Sequence, residues 1–145
     1  MNSNSSDTLL GIDFGETNVG LAFGRNELVS PLKVMNGKSE ITLINELNRL
    51  AIENSVAKFI VGLPLTVEGK ETNKSLKVRK FAKLLKIYSR KPVEFQNEYG
   101  TTIEAQRKSI ELGLSKKRRE AKDHLAAAIL LRRYYDENPR AQVVK

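Results

Sequence analysis

The order of the apolar segments is the feature that most restricts the fold of this chain. Three short apolar runs follow one another closely near the N-terminus: Thr8–Phe14, Val19–Gly24 and Leu28–Val34. Runs of this length with tight connections predict three antiparallel strands in a meander. Because proline has no N–H for the hydrogen-bond ladder, Pro31 predicts that the third strand lies at an edge of the sheet or bends there.

Helical and strand patterns alternate after the meander. Apolar residues recur at helical spacing from Ile41 to Ile52, and a buried strand, Lys58–Leu63, follows and is stopped by Pro64. The pattern then predicts a helix, a strand and two helices, at Glu71–Tyr88, Pro92–Gln96, Thr102–Leu112 and Lys117–Tyr135. Because strands joined through helices are usually parallel, we predict an α/β fold with a mixed five-stranded sheet flanked by helices.

Length and composition restrict the class of protein further. The chain has 145 residues, which suits one domain and one core. We expect a single domain over residues 8–137, with loose tails at 1–7 and 138–145. The longest apolar run, Leu125–Leu131, is far below the ~18 residues that span a bilayer, and the N-terminus lacks the features of a secretory signal. The absence of cysteine excludes disulfides, thiolate catalysis and Cys-ligated zinc.

The charge of the chain favours a polyanionic partner. The 25 Lys and Arg residues against 17 Asp and Glu residues give a formal net charge of +8, and nucleic acid is the first candidate partner. Lys74–Lys91 contains eight basic residues and no acidic one. On a helix, four of these basic residues share a face opposite Phe81 and Leu85: Arg79, Lys83, Lys86 and Arg90.

A second basic cluster precedes the last predicted helix and consists of Lys116, Lys117, Arg118 and Arg119. Clusters of this kind bind a phosphate backbone and carry little sequence information. A solvated helix face is the alternative interpretation of both clusters. Four adjacent positive charges repel one another, which favours a bound partner for the second cluster.

Asp13 is the first candidate site residue. It lies in an otherwise apolar strand, where an ionised side chain is costly to bury without a partner or a metal. Ligands gather where the strands of such sheets end. Gly11 and Gly15, on either side of Asp13, also favour a ligand site over a simple capping role.

Glu98 and Asp123 are the candidate companions of Asp13. Glu98 follows the predicted strand Pro92–Gln96, and Asp123 lies on the last helix, before the small residues Ala126, Ala127 and Ala128. Three carboxylates that meet from two strands and one helix would suit Mg²⁺ or Mn²⁺. Spacing alone does not distinguish this arrangement from two ordinary surface charges.

Taken together, several segments resemble those of the YqgF/RuvX family, small bacterial proteins described as candidate pre-16S rRNA nucleases and formerly as candidate Holliday junction resolvases. The similarity is collinear from about Leu9 to Tyr135. It is carried by Gly11–Gly15, Val19–Ala22, Ile60–Leu65 with Gly69, Val78–Ala82, Asn97–Thr102 with Ala105, and Asp123–Ala127.

The resemblance implies a ribonuclease H-like fold and a metal-dependent endonuclease that trims the 5′ end of precursor 16S rRNA. It further implies a cytoplasmic protein with the pre-ribosome as its partner, with Asp13, Glu98 and Asp123 as catalytic residues and metal ligands. The family's motif has an Asp–Glu pair where this chain has Asn97 and Glu98. Since Asn adds no charge and cannot act as a base, the third ligand assignment rests on Glu98.

Three alternative functions remain open at this point. A resolvase of branched DNA would use the same site. A basic RNA-binding protein of ribosome assembly with a decayed nuclease site would account for Asn97. A sugar kinase or actin-like ATPase would account for the turn from Asp13 to Asn18, but those enzymes close two such domains around ATP, and this chain is long enough for one. The sequence does not indicate an oligomeric state.

Overall fold

The computed structural model describes residues 7–15, 17–36, 39–99 and 122–139. The predicted helix Thr102–Leu112 and the basic cluster Lys116–Arg119 lie outside these ranges. Within them, the chain forms β1 (Thr8–Phe14), β2 (Asn18–Arg25), β3 (Leu28–Asn36), α1 (Glu40–Glu53), β4 (Val56–Leu63), α2 (Asn73–Ser89), β5 (Val93–Asn97) and α3 (Lys122–Glu137).

The described strands form one mixed sheet in the order β3-β2-β1-β4-β5. β1 pairs antiparallel with β2, and β2 with β3, whereas β4 pairs parallel with both β1 and β5. This arrangement confirms the predicted meander and the predicted parallel strands. The C-terminal ends of the parallel strands β1, β4 and β5 consequently lie at the same end of the sheet.

Pro31 lies in β3, the edge strand next to β2, as predicted. Leu21 pairs with Lys33, whereas the next residue, Ala22, pairs with Pro31. Leu32 is therefore the extra residue of a β-bulge. A proline and a bulge on an edge strand both interrupt pairing with another strand, so this edge is protected against further strand addition.

Helices cover both faces of the sheet. On one face, α1 and α2 pack over a core that includes Leu10, Ile12 and Phe59. On the other face, α3 packs over a second core that includes Leu9, Ile60 and Leu131. Among the described helices, none combines the length and the apolar character needed to cross a bilayer.

The packing of α3 depends on Gly11. A Cβ at this position would lie 2.6 Å from Cγ of Leu131, closer than two carbon atoms approach without a shift of the helix. Gly11 thus serves helix packing, a role that the sequence pattern did not indicate. Ala126 and Ala127 of α3 are fully buried, and their small side chains let the helix approach the sheet closely.

The start of α2 is fixed by Thr72. The hydroxyl of Thr72 accepts a hydrogen bond from the backbone N–H of Ser75, and the Ser75 hydroxyl accepts one from the N–H of Thr72. This capping box explains why the helix begins at Asn73 and not at Glu71. The Thr72 hydroxyl also donates to the backbone oxygen of Pro64 at 2.8 Å, which holds the N-terminus of α2 beside the end of β4.

A polar cluster of Lys58, Glu94 and Tyr134 joins α3 to β4 and β5. Lys58 Nζ lies 2.6 Å from one Glu94 carboxylate oxygen, and the Tyr134 hydroxyl donates to the other at 2.5 Å. Burial acts to raise the pKa of Glu94, but the hydrogen bonds from Lys58 and Tyr134 outweigh it and lower that pKa below 4.5. Glu94 therefore stays ionised and holds α3 against the sheet.

Replacing Tyr134 with Phe should lower the free energy of unfolding by about 1–2 kcal/mol, because a hydrogen bond to a charged carboxylate is lost. The loss should be present above pH 4.5 and should fade as the pH falls through the lowered pKa of Glu94. Urea unfolding at one pH above and one pH below the lowered pKa of Glu94 measures this loss of stability. Tyr88→Phe is the matched control, because Tyr88 is 55% exposed. Equal midpoints for the two variants would contradict the clamping role of Tyr134.

Candidate active site

Asp13 lies near the C-terminal end of β1, where it pairs with Gly20 of β2. Its side chain is almost fully buried, with 3% of the residue exposed. Gly11, two residues earlier, faces Leu131 of α3, whereas Ile12 belongs to the core under α1 and α2. Since side chains alternate along a strand, Asp13 lies on the α3 side of the sheet.

Glu98 reaches the same place from β5. Its backbone N–H donates to the oxygen of Leu63 at 3.2 Å, which extends the pairing of β4 and β5 by one residue. Gln96 in the same strand donates to Glu137 of α3 at 2.9 Å, so this set of alternate residues faces α3. The Glu98 carboxyl therefore lies on the α3 side, where it interacts with Asp13 by hydrogen bonding and by charge.

The two carboxyl groups strongly affect each other's ionisation. Burial, and then the negative charge of Asp13, raise the pKa of Glu98 from 4.5 to about 8, and Lys74 offsets a small part of this effect. Near neutral pH the pair therefore holds a proton. The buried Asp13 carboxylate and the half-buried Glu98 carboxylate offer oxygen donors of like charge, which fits a hard divalent cation that would neutralise both of them.

Gly62 in β4 makes room for the Glu98 carboxyl. A Cβ on Gly62 would collide with Oε1 of Glu98 and would lie 3.2 Å from Cδ2 of Leu130. Oε1 is itself buried. The sequence indicated only that Pro64 stops this strand. The structure shows in addition that the glycine sets the position of a site carboxylate.

Replacing Gly62 with Ala should displace Glu98, raise the divalent-ion concentration needed for activity and cost about 1–3 kcal/mol of stability through overpacking. Gly11→Ala is the matched control, because it crowds Leu131 of the same helix but lies away from Glu98. Activity titrated against Mg²⁺ and thermal unfolding measure the two effects. If the two variants have the same Mg²⁺ requirement, Gly62 serves only packing.

Asn97 points away from this pair. The side-chain oxygen of Asn97 accepts a hydrogen bond from the backbone N–H of Tyr99 at 3.0 Å, which forms a turn after the strand. Asn97 is exposed, and its position between Gln96 and Glu98 places it on the α1 and α2 side of β5. Asn performs this turn as well as Asp does. The departure from the family's motif therefore falls outside the carboxylate pair.

Asp123 lies in the first turn of α3, and its side chain is outside the described part of the structure. The helix packs on the face of the sheet that carries Asp13 and Glu98. Within the described residues, no group of three acidic or histidine side chains meets. Asp13 and Glu98 are thus brought together, and the role of Asp123 remains a prediction.

The predicted nucleic-acid-binding residues on α2 differ in their surroundings. Lys83 and Lys86 are exposed, as the helix pattern predicts. Arg79 forms a bidentate ion pair with Glu71, in which Nε and Nη2 donate to the two carboxylate oxygens at 3.0 and 2.7 Å. Its guanidinium also lies over the ring of Phe95. Part of its hydrogen-bonding capacity is therefore used within the protein. Lys74, which the sequence placed only within the general cluster, lies close enough to affect Glu98.

Comparison with known proteins identifies the relatives of this chain. The family model described as RuvX, Holliday junction resolvase, matches residues 7–137. A Bordetella parapertussis protein is 34% identical over 92% of this chain and 97% of its own length. A Dictyoglomus thermophilum protein is 33% identical over 90% and 96%. Both are named as candidate pre-16S rRNA nucleases.

Two solved structures share the fold. RuvC of Thermus thermophilus, in complex with a Holliday junction substrate, has a TM-score of 0.56 at 16% identity and covers 92% of this chain and 96% of its own. The yeast mitochondrial Holliday junction resolvase Ydc2 has a TM-score of 0.51 at 14% identity, with coverage of 90% and 78%. With the family match over residues 7–137, these findings confirm the predicted ribonuclease H-like fold, and the chain belongs to the RuvX family of nucleases.

Proposed function

We propose that this protein is a divalent-metal-dependent endonuclease that processes the 5′ end of precursor 16S rRNA. The observation that carries the proposal is the meeting of Asp13 and Glu98 at the ends of parallel strands, on the face covered by α3. The names of the relatives support precursor rRNA as the substrate and ribosome biogenesis in the cytoplasm as the setting.

Asp13, Glu98 and Asp123 would hold Mg²⁺ or Mn²⁺. When bound, the cation would supply a water of lowered pKa and charge stabilisation for the leaving oxygen. Asp13 lies on the middle strand of the described sheet and is the more buried member of the pair. Glu98 holds a proton near neutral pH in the absence of metal, so metal binding should release a proton and weaken in acid.

The basic residues would bind the substrate backbone. Lys83 and Lys86 are exposed on α2, and Arg79 keeps part of its guanidinium exposed beside Glu71. Lys116, Lys117, Arg118 and Arg119 would add positive charge shortly before Asp123 along the chain. Contacts of this kind hold the substrate without reading its sequence.

A second candidate function is cleavage of branched DNA. It is favoured by the description of the matching family and by the likeness in fold to a resolvase bound to a Holliday junction. The same carboxylate pair would serve this reaction, since both substrates are cut at a phosphodiester bond.

The test is cleavage of two labelled substrates, a precursor 16S rRNA fragment with its 5′ leader and a four-way DNA junction, with Mg²⁺, with Mn²⁺ and with EDTA. We expect metal-dependent cleavage of the RNA at a defined position. Cleavage of the junction alone would favour the second candidate. Tight RNA binding without cleavage in either metal would favour a ribosome-assembly protein with an inactive site.

A further inference from the structure

A cavity of about 540 Å³ opens beside the end of β1, on the side of the sheet opposite the carboxylate pair. Phe14 and Gly15, which directly follow Asp13, line it together with residues of α1 and α2. The volume is within the range of sites that bind small molecules, roughly 300–1,000 Å³. The same strand end thus carries a carboxylate on one side and the wall of a cavity on the other.

The lining combines an aromatic wall with two positive charges. The rings of Phe14 and Phe81 contact each other edge to face, with centroids 4.9 Å apart. Lys74 and Lys77, one turn apart on α2, supply the charges, and Glu40 of α1 supplies an acceptor. This lining matches a ligand that has a ring for the aromatic wall, an anionic group for the lysines and a hydrogen-bond donor for Glu40.

A nucleotide has this combination of chemistry. Its base stacks on aromatic rings, and its phosphate pairs with Lys. Phe14 and Gly15 connect the two places, because they line the cavity and directly follow Asp13 along the chain. A nucleic-acid strand bound at Asp13 therefore comes within reach of the cavity.

We infer that this cavity is a subsite for one nucleotide next to the cleaved bond, with its base against Phe14 and its phosphate on Lys74 and Lys77. The inference rests on the proposed function, because only a nuclease has a cleaved bond. Binding of a nucleotide in the cavity does not itself require cleavage. It gives Lys77 and Phe14 roles in positioning the substrate.

The test measures binding of a fluorescein-labelled, single-stranded RNA from the precursor 16S 5′ leader to the full-length Asp13→Asn protein. Each nucleotide in turn is replaced with an abasic one. We expect one abasic position to weaken binding about tenfold, because one stacked base is lost. In a Phe14→Leu background the same abasic position should have little further effect. Lys77→Ala should reduce the slope of log affinity against log salt by about 0.7.

Lys80→Ala is the matched control, because Lys80 is an exposed lysine of the same helix that does not line the cavity. It should leave the salt slope unchanged. Equal slopes for Lys77→Ala and Lys80→Ala would overturn the subsite. So would an abasic effect of the same size with and without the Phe14→Leu substitution, provided that both proteins are thermally stable. A wild-type protein that shows the abasic signature but cuts no substrate would refute the proposed function and leave the subsite standing.

Discussion

Replacing Asp13 with Asn should abolish metal-dependent cleavage and at the same time stabilise the metal-free protein. Loss of one anionic ligand should reduce the cleavage rate at least ~1,000-fold, equivalent to about 4 kcal/mol in the activation barrier. The stability change has the opposite sign because the substitution keeps the volume and removes the charge that opposes ionisation of Glu98. Above pH 8, where both carboxylates of the wild type are ionised, the gain should be about 1–2 kcal/mol.

Single-turnover cleavage in Mg²⁺ and thermal unfolding in EDTA measure the two effects. Asp136→Asn is the matched control, because it makes the same chemical change at an exposed position of α3. It should change neither quantity. Addition of Mg²⁺ should raise the melting temperature of the wild type but not that of Asp13→Asn. A variant that cuts at the wild-type rate would remove Asp13 from the site.

The second large effect is a loss of stability as the pH rises. Burial and the charge of Asp13 raise the pKa of Glu98 from 4.5 to about 8, so between these values the folded protein holds a proton that the unfolded chain releases. The free energy of unfolding therefore falls as the pH rises through this window. Above pH 8 the contribution of the protonated Glu98 carboxyl is fully lost. Because Glu98 is half-buried, we expect a loss of about 2–4 kcal/mol, less than the full shift in pKa would give.

Glu98→Gln should remove this pH dependence, and it should damage cleavage nearly as much as Asp13→Asn does. It should also raise the Mg²⁺ requirement, because one of three proposed anionic ligands is lost. Urea unfolding in EDTA across the window, and the cleavage rate against Mg²⁺, are the measurements. Asn97→Asp is the adjacent control and should keep both the pH dependence and the activity. A Glu98→Gln protein with the wild-type Mg²⁺ titration would show Glu98 to be a surface residue.

The sheet and the carboxylate pair could be predicted from the sequence because both depend on local patterns. Asp13 interrupts an apolar run, and Glu98 follows another strand, and parallel strand ends meet at one edge of a sheet. The roles of Gly11 and Gly62 could not be predicted in this way. Both depend on residues far along the chain, since Leu131 of α3 lies over Gly11 and the Glu98 carboxyl lies over Gly62.

The partners of the basic residues on α2 could not be predicted, because helical periodicity does not say which other elements lie beside the helix. Arg79 pairs with Glu71, which precedes the helix, and it lies over Phe95 of the next strand. Lys74 lies close enough to affect Glu98, and the bond from the Thr72 hydroxyl to Pro64 fixes where its helix starts relative to β4. A helical wheel gives the direction of each side chain around the axis, but it does not give the position of the axis.

The packing of α3 also has a consequence for the order of biosynthesis. Leu9, Ala22 and Ile60, from three different strands, share a core with Leu131 of α3, which leaves the ribosome long after them. Until α3 is synthesised and docked, that face of the sheet remains in contact with water, and the strand ends that carry Asp13 and Glu98 lack their cover. We therefore expect a nascent chain of this protein to acquire nuclease activity only after α3 has docked on the sheet.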